Sequence, residues 1–323
     1  MSADKLKDLM GENGGSAPGQ TRTDRLVVVG GGTMGQGICI AAARLGIEML
    51  VIERGDEELQ SSLAELSEKL NHEIARWAMT ESEKKSIMSR IKGETSLAKI
   101  TDQHYIIEAI PDNLELKKRI FAELDKQCIA DAIFITNTST LSITEVASAT
   151  NRPDRVIGMH FMNPVSKVRM VELVRGLNTS AETFQKTLAL AERLERTAIE
   201  VYESPGYVTT RVMMPLVNEA IQVLMEGVAS AEDIDTAVRI GYELPYGPLA
   251  MADQIGLDQV LNWLDTLFRD LGDPKYRPCP LLRMLVRAGN LGVKTGRGFF
   301  RYDSEGRAIP GSGQTSAAYK KLQ

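Results

Sequence analysis

A doubly wound, mostly parallel α/β sheet followed by an all-helical domain is the fold this sequence predicts, and three observations support it. Short apolar runs alternate with helical patterns from Leu26 to about residue 200, the rhythm of strands joined by crossover helices. The first run, Leu26-Val-Val-Val29, breaks into the glycine cluster Gly30-Gly-Gly-Thr-Met-Gly-Gln-Gly37. The texture then changes at Glu203-Ser-Pro-Gly206, beyond which the pattern is helical only. We therefore expect a disordered leader over 1–23, a sheet domain over 24–204, a helical domain over 205–303 and a tail over 304–323.

The elements follow in order. Leu26–Val29 is a strand, and the glycine cluster opens a helix. Ile47–Ile52 is a second strand ending at an acid, Glu53. The charged helical stretch from Glu57 to about Ile91 is too long for a simple crossover and predicts a helical hairpin projecting from the sheet. Tyr105–Ile110 and Ala132–Thr136 are buried strands, with a helix over Asn113–Lys126 between them. Ile143–Ala149 is a short helix, and Arg155–His160 and Val168–Val174 are two further strands. In the helical part, Thr210–Glu226 is closed by Gly227. Ser230-Ala-Glu-Asp233 resembles a capping box opening a helix to Ile240, with Gly241 as its stop.

The glycine cluster carries Gly30-x-Gly32-x-x-Gly35 between a strand and a helix, with Glu53 about 20 residues on. This is the grammar of a Rossmann-like dinucleotide-binding unit. The first glycine allows a tight turn, the second lets backbone approach a pyrophosphate, and the third lets helix and strand pack closely. The helix N-terminus offers N–H groups and positive dipole to the phosphates, and Glu53 can accept from a ribose hydroxyl.

Composition narrows the class. The chain has 323 residues and a net charge of −5, enough for two domains and no electrostatic reason to expect nucleic acid. Cys39, Cys128 and Cys279 are scattered and lack metal-ligand spacing. They read as buried or incidental thiols of a reducing, cytoplasmic compartment, and no metal is expected. No stretch approaches the ~18 apolar residues of a membrane span. The leader has no apolar core, and Asp4, Asp8 and Glu12 argue against a transit peptide.

Only three histidines are candidates for a general base. His72 and His104 sit in charged, surface-like contexts. His160 ends an apolar strand in Gly158-Met-His-Phe-Met-Asn-Pro164, where open α/β sheets present their ligand crevice. Glu172 interrupts the apolar strand Met170-Val-Glu-Leu-Val174, and a carboxylate there is costly unless it is partnered. Side by side on neighbouring strands, the two make a histidine oriented by an acid, suited to proton transfer near neutral pH. The same residues also fit a satisfied core histidine and an unrelated interface glutamate.

Six motifs in order now bear on the choice. They are the glycine cluster, Ile107-Glu-Ala-Ile-Pro-Asp-Asn-Leu-Glu-Leu-Lys117, Asn137-Thr-Ser-Thr-Leu-Ser-Ile143, His160-Phe-Met-Asn-Pro164, Ser204-Pro-Gly-Tyr-Val208 and Gly292-Val-Lys-Thr-Gly-Arg-Gly-Phe299. Together they resemble the 3-hydroxyacyl-CoA dehydrogenase family over residues 25 to 302, and most of all its short bacterial 3-hydroxybutyryl-CoA dehydrogenases. The resemblance implies oxidation of an (S)-3-hydroxyacyl-CoA, short-chain in that branch, by hydride transfer to NAD, or the reverse. It implies His160 as base, Glu172 as its orienting carboxylate, Ser139 on the substrate oxygen, and Asn163 and Thr210 as further catalytic-site positions. It also implies a cofactor site from Gly30, Gly32, Thr33, Met34, Gly35, Glu53, Asp112, Lys117 and Asn137, and a homodimer formed through the helical domain. Read by itself, Ser139 also fits a cap on the following helix.

Four positions depart from the family pattern. Glu53 replaces the usual aspartate; it still accepts from both ribose hydroxyls, so NAD is favoured, although Arg54 beside it suits a 2′-phosphate. Asp112 stands where the family tends to have glutamate near the nicotinamide ribose. Thr210 stands where many relatives have an asparagine that reaches substrate, and Leu244 replaces a histidine common in the nearest branch. Lys69 and Arg76, seven apart on one helical face, align roughly with CoA-contacting positions, though Glu65, Glu68 and Glu73 make a solvated charged face the plainer account. Met213, Met214 and Met225 read as helix-packing residues. Two other functions are open: a related dehydrogenase acting on a non-CoA hydroxy acid or sugar acid, and a non-catalytic NAD-binding module. Retention of His160, Glu172 and Ser139 together argues against the second.

Overall fold

The computed structural model describes residues 25–100 and 102–315; the expected leader and the last residues of the tail lie outside these. Strands β1 (Arg25–Val29), β2 (Glu48–Ile52), β3 (Ile91–Glu94), β4 (Tyr105–Glu108), β5 (Ile133–Thr136), β6 (Val156–Phe161), β7 (Met170–Arg175) and β8 (Thr197–Tyr202) form one sheet in the order β3-β2-β1-β4-β5-β6-β7-β8. Every pairing is parallel except β6 with β7. The order reverses between β1 and β4, which opens a crevice at the carboxyl ends of these strands.

The continuous apolar runs are explained by burial on both faces. Leu26 and Val28 face one core together with Met49, Val51, Ile107 and Ile135. Val27 and Val29 face the other, with Leu50, Ile52, Ile106 and Phe134. Helix α1 (Thr33–Arg44) follows β1, and α4 (Leu114–Gln127) and α5 (Ile143–Ala147) follow β4 and β5. Asn113 and Ser142 cap the last two, accepting from the N–H groups of Leu116 and Glu145 at 3.0 and 3.0 Å.

The expected hairpin forms as α2 (Asp56–Ala75) and α3 (Glu81–Arg90), but it does not stand clear of the sheet. Leu66, Leu70 and Ile87 are buried in the first core, and the chain returns from α3 directly into β3. In the sheet part, three elements exceed the sequence expectation: β3, α6 (Ala181–Arg193) and β8. Ile91-Lys-Gly-Glu94 is a short, polar edge strand with little periodic signal, and β8 is an edge strand exposed at most of its positions.

A third core belongs to the helical part: α7 (Thr209–Glu226), α8 (Ala231–Gly241), α9 (Pro248–Ile255), α10 (Leu257–Leu271) and α11 (Pro280–Arg287). Met214 is buried in it, with Met213 and Met225 packed alongside. Gly227 ends α7 in the left-handed conformation at φ 80°. Gly241 does not end α8 as expected; the helix includes it, and Glu243 takes the left-handed turn at φ 54°. The described part of the expected tail folds back: Gln314 donates its N–H to the Phe299 carbonyl at 2.9 Å and accepts from Ala231 at 3.0 Å. Buried Asp253 holds the chain from Gly298 onward, accepting from the N–H groups of Phe299 and Phe300 and from the Tyr302 hydroxyl at 3.0, 3.0 and 2.9 Å. A Cβ on Gly298 would lie 1.9 Å from Asp253 Oδ1, so that close approach needs glycine.

Candidate active site

The crevice is built from the ends of five strands, β1, β2, β4, β5 and β6. At β1, the turn Gly30–Gly32 leads into α1, and a Cβ on Gly35 would lie 1.9 Å from the Gly30 carbonyl oxygen. The third glycine of the motif is thus required by helix–turn packing. A Cβ on Gly32 would meet nothing within 4 Å, so that side of the loop is open, as a backbone cradle for phosphates requires. Thr33 and Met34 begin the helix whose N–H groups face this turn. Glu53, at the end of β2, reaches under the loop: its Oε1 accepts from Gly31 N–H at 2.6 Å and from the Ser62 hydroxyl at 3.1 Å. Arg54 points elsewhere, its guanidinium paired with Glu58 at 2.7 Å.

Beyond β4 lies a buried ion pair. Lys117 Nζ donates to both oxygens of Glu108, at 2.7 and 2.9 Å, and to the carbonyls of Ile110 and Asn137 at 3.2 and 3.3 Å. Glu108 also accepts from the Thr136 hydroxyl and the Ile110 N–H, both at 2.7 Å. Burial pushes the Glu108 carboxyl up, and Lys117 and these donors oppose it. Asp112 sits 3.6 Å from Lys117 Nζ and accepts from the Ser139 hydroxyl at 3.2 Å. Ser139 therefore faces the crevice network, and Ser142, not Ser139, caps the following helix. Asn137 ties β5 to β6, its Oδ1 accepting the N–H of Phe161 at 3.0 Å.

His160 and Glu172 are directly opposite one another in the antiparallel β6–β7 register. His160 Nδ1 lies 2.7 Å from Glu172 Oε2, and both side chains are buried. A carboxylate only accepts, so Nδ1 carries the proton and Nε2 of the neutral ring is an acceptor. Glu172 Oε1 takes the N–H groups of Val208 and Thr209 at 3.0 and 2.9 Å, and Oε2 takes the Thr209 hydroxyl at 2.9 Å. Burial pushes the Glu172 carboxyl up, but the bonds with His160 and Thr209 outweigh it and hold it below the usual carboxylate value. Tyr207, in the left-handed region at φ 50°, packs its ring edge-on to His160 with centroids 5.8 Å apart.

His160, Glu172, Ser139, Asp112, Lys117 and Asn137 are thus linked along one sheet edge. Thr210 is buried in the first turn of α7, but its neighbour Thr209 makes the contact with the carboxylate. Asn163 is exposed beyond the end of β6. Lys69 is half-buried, and burial pushes its ammonium down against the pull of Glu65. Glu65 accepts from the Gln36 amide at 3.0 Å, and Gln36 also donates to the Gly31 carbonyl at 2.7 Å, which connects Glu65 to the glycine turn. Arg76 is exposed at the far end of α2.

Sequence reasoning missed Glu108, Gln36 and Thr209. The signal for Glu108 was present, since it is a carboxylate closing an apolar strand just as Glu172 interrupts one. Gln36 and Thr209 carried none, because each acts through partners 29 and 37 residues away.

Residues 25–204 match the family model described as 3-hydroxyacyl-CoA dehydrogenase, NAD binding domain, and residues 206–302 match the C-terminal domain of the same family. The chain belongs to the 3-hydroxyacyl-CoA dehydrogenase family. It is an NAD-dependent enzyme of that class. A probable 3-hydroxybutyryl-CoA dehydrogenase of Bacillus subtilis is 45% identical over 281 residues, 87% of this chain and 98% of that one. The mitochondrial hydroxyacyl-coenzyme A dehydrogenase of Rattus norvegicus is 35% identical over 285 residues, 86% of this chain and 90% of that one. The crystal structure of (S)-3-hydroxybutyryl-CoA dehydrogenase from Ralstonia eutropha superposes with a TM-score of 0.80 at 42% identity, covering 87% of this chain and 100% of that one. The two family matches meet at Pro205, beside the change of texture in the sequence. Among the described residues of this dehydrogenase, no helix is long and apolar enough to cross a membrane.

Proposed function

We propose that this dehydrogenase interconverts short-chain (S)-3-hydroxyacyl-CoA, such as 3-hydroxybutyryl-CoA, and the 3-oxoacyl-CoA, with His160 as acid/base. The single observation that carries this is the 2.7 Å His160–Glu172 pair at the carboxyl edge of the sheet. NAD bound at the glycine turn supplies the acceptor for the C3 hydride. His160 Nε2 takes the proton of the 3-hydroxyl as that hydride leaves, so carbinol becomes carbonyl with no net charge stranded on oxygen. Glu172 fixes the tautomer and stabilises the imidazolium that results. In the reverse direction the imidazolium returns the proton to the carbonyl oxygen.

Ser139 donates to the substrate oxygen, Thr210 contacts the thioester side, and Asn163 is a further position of the site. Gly30, Gly32, Thr33, Met34 and Gly35 hold the pyrophosphate, Glu53 the adenine ribose, and Asp112, Lys117 and Asn137 the nicotinamide ribose. Lys69 and Arg76, on α2 and at its end, reach the CoA moiety. The 24–204 portion serves the cofactor and 205–303 the substrate. The helical portion also forms a homodimer; exposed Val212, Leu216 and Val228, on or just beyond α7, support that face. The free, buried cysteines suit a cytoplasmic protein.

The test is reduction of acetoacetyl-CoA and longer 3-oxoacyl-CoA esters with NADH. Turnover highest on the four-carbon ester supports the proposal. Undiminished turnover on a 3-oxo acid lacking CoA would refute it and favour a non-CoA hydroxy acid.

A further inference from the structure

Helix α7 has no cap of its own. Val208 occupies its N-cap position and offers no side-chain acceptor, although first-turn N–H groups need partners. Glu172 supplies one from β7, with Oε1 accepting both Val208 and Thr209 N–H. Its other oxygen, Oε2, is shared between His160 Nδ1 at 2.7 Å and the Thr209 hydroxyl at 2.9 Å. We infer that Thr209 is a positioning residue for the His160–Glu172 pair, its hydroxyl locking the carboxylate and drawing charge from the oxygen that faces the imidazole. This deepens, and rests on, the assignment of His160 as acid/base.

Two consequences follow from one oxygen serving two donors. With both donors in place, neither carboxylate oxygen is free to turn, and the imidazole plane is fixed with Nε2 toward the crevice. The hydroxyl also competes with Nδ1–H for the same negative charge, so the imidazolium is stabilised less than it would be by a carboxylate without that bond. A group that must take and return a proton in each turnover works best when neither form dominates. The other ionisable groups around the pair are Tyr207, whose hydroxyl donates to the Leu141 carbonyl at 2.8 Å, and Asp112 and Glu203, which face Tyr207. Thr209→Val leaves all three in place and keeps the β-branched shape and the backbone N–H.

Three histidines make the imidazole signals readable by NMR, and loss of one in His160→Gln assigns it. In Thr209→Val the Nδ1–H resonance of His160 should move downfield, because Oε2 then serves one donor instead of two. Turnover should fall about 10-fold, with NADH affinity unchanged, and Thr209→Ser should restore both. Thr209→Ala provides the same test if Thr209→Val does not fold. An unmoved Nδ1–H resonance with unchanged turnover in a folded variant, or failure of Thr209→Ser to restore them, would overturn the inference and leave Thr209 a helix-end residue. The NMR measurement needs no substrate. An enzyme inert toward 3-oxoacyl-CoA would refute the proposed substrate without deciding the role of Thr209.

Discussion

Glu172→Gln tests the proposed chemistry most directly, because its effect can be worked out atom by atom. The carboxylate receives four hydrogen bonds, two on Oε1 from Val208 and Thr209 N–H and two on Oε2 from His160 and the Thr209 hydroxyl. A glutamine amide keeps the backbone pair only by placing its oxygen there, since an NH2 cannot face two N–H donors. The NH2 then faces His160 Nδ1, which must become the acceptor. The proton moves to Nε2, and the ring presents a donor where the reaction in the oxidative direction needs an acceptor. Losing a positioned acid–base costs roughly 10²–10⁴ in rate, or about 2.7–5.4 kcal/mol of barrier at 1.36 kcal/mol per decade. Oxidation of 3-hydroxybutyryl-CoA, followed by gain of NADH absorbance, measures it, with NAD affinity as the control expected not to change. Because Glu172 acts through His160, the double variant with His160→Gln should lose no more than about the worse single variant. Losses that multiply, or turnover near that of the unmodified enzyme in Glu172→Gln, would refute the coupling.

Glu53 faces the glycine turn while Arg54 is taken up by Glu58, so kcat/KM should favour NADH clearly over NADPH; equal efficiency would put Arg54 in control. Thr210→Val should cost about 1–3 kcal/mol in kcat/KM for acyl-CoA if its hydroxyl meets a substrate atom in this buried site, with cofactor affinity unchanged; kinetic silence on every chain length would make Thr210 a packing residue. Burial raises the Asp253 carboxyl to about 6, so the folded state holds this proton more tightly than the unfolded chain does. That stability is full below about pH 4 and is lost as pH rises through about 6, at most about 3 kcal/mol; urea unfolding should show the decline in the parent enzyme and a flatter profile in Asp253→Asn. Lys117→Met should destabilise by about 3–5 kcal/mol, because it leaves Glu108 charged and unpaired in the core, and adding Glu108→Leu should recover much of that in thermal unfolding.

The parts of this molecule legible in its sequence are those whose physics is local. The apolar runs of β1, β2, β4 and β5 announce strands buried on both faces, and Gly30-x-Gly32-x-x-Gly35 announces a turn that packs helix on strand. The pairing of His160 with Glu172 was legible too, although it spans two strands, because a carboxylate in an apolar strand demands a partner. Glu108 obeys the same rule, closing the apolar strand β4 with its partner Lys117 nine residues on. Edge strands β3 and β8 escaped for a different reason: half-exposed strands carry neither a continuous apolar run nor strict alternation. Thr209 could not be read at all. Its role depends on where α7 begins relative to β7, a tertiary relation with no counterpart in the spacing of nearby residues.

Two buried charges in this fold, Glu108 and Glu172, share a logic that stability alone does not explain. An ion pair as enclosed as Glu108–Lys117 is often no more stable than apolar residues of the same volume, and a carboxylate in β7 would be better replaced by valine if the strand only had to pack. Each is instead saturated with donors drawn from separate elements. Glu108 takes them from β5, α4 and its own loop, and Glu172 takes them from β6 and the start of α7. Such saturation fixes a charge and its neighbours in one geometry, which a proton-transfer site needs and a core does not. The two carboxylates therefore bracket the crevice at both ends. One holds Lys117 and the other His160, and the second joins the sheet to the first turn of the helical domain. Motion of α7 away from the sheet would break the Val208 and Thr209 contacts together and leave His160 as the one remaining donor to Glu172.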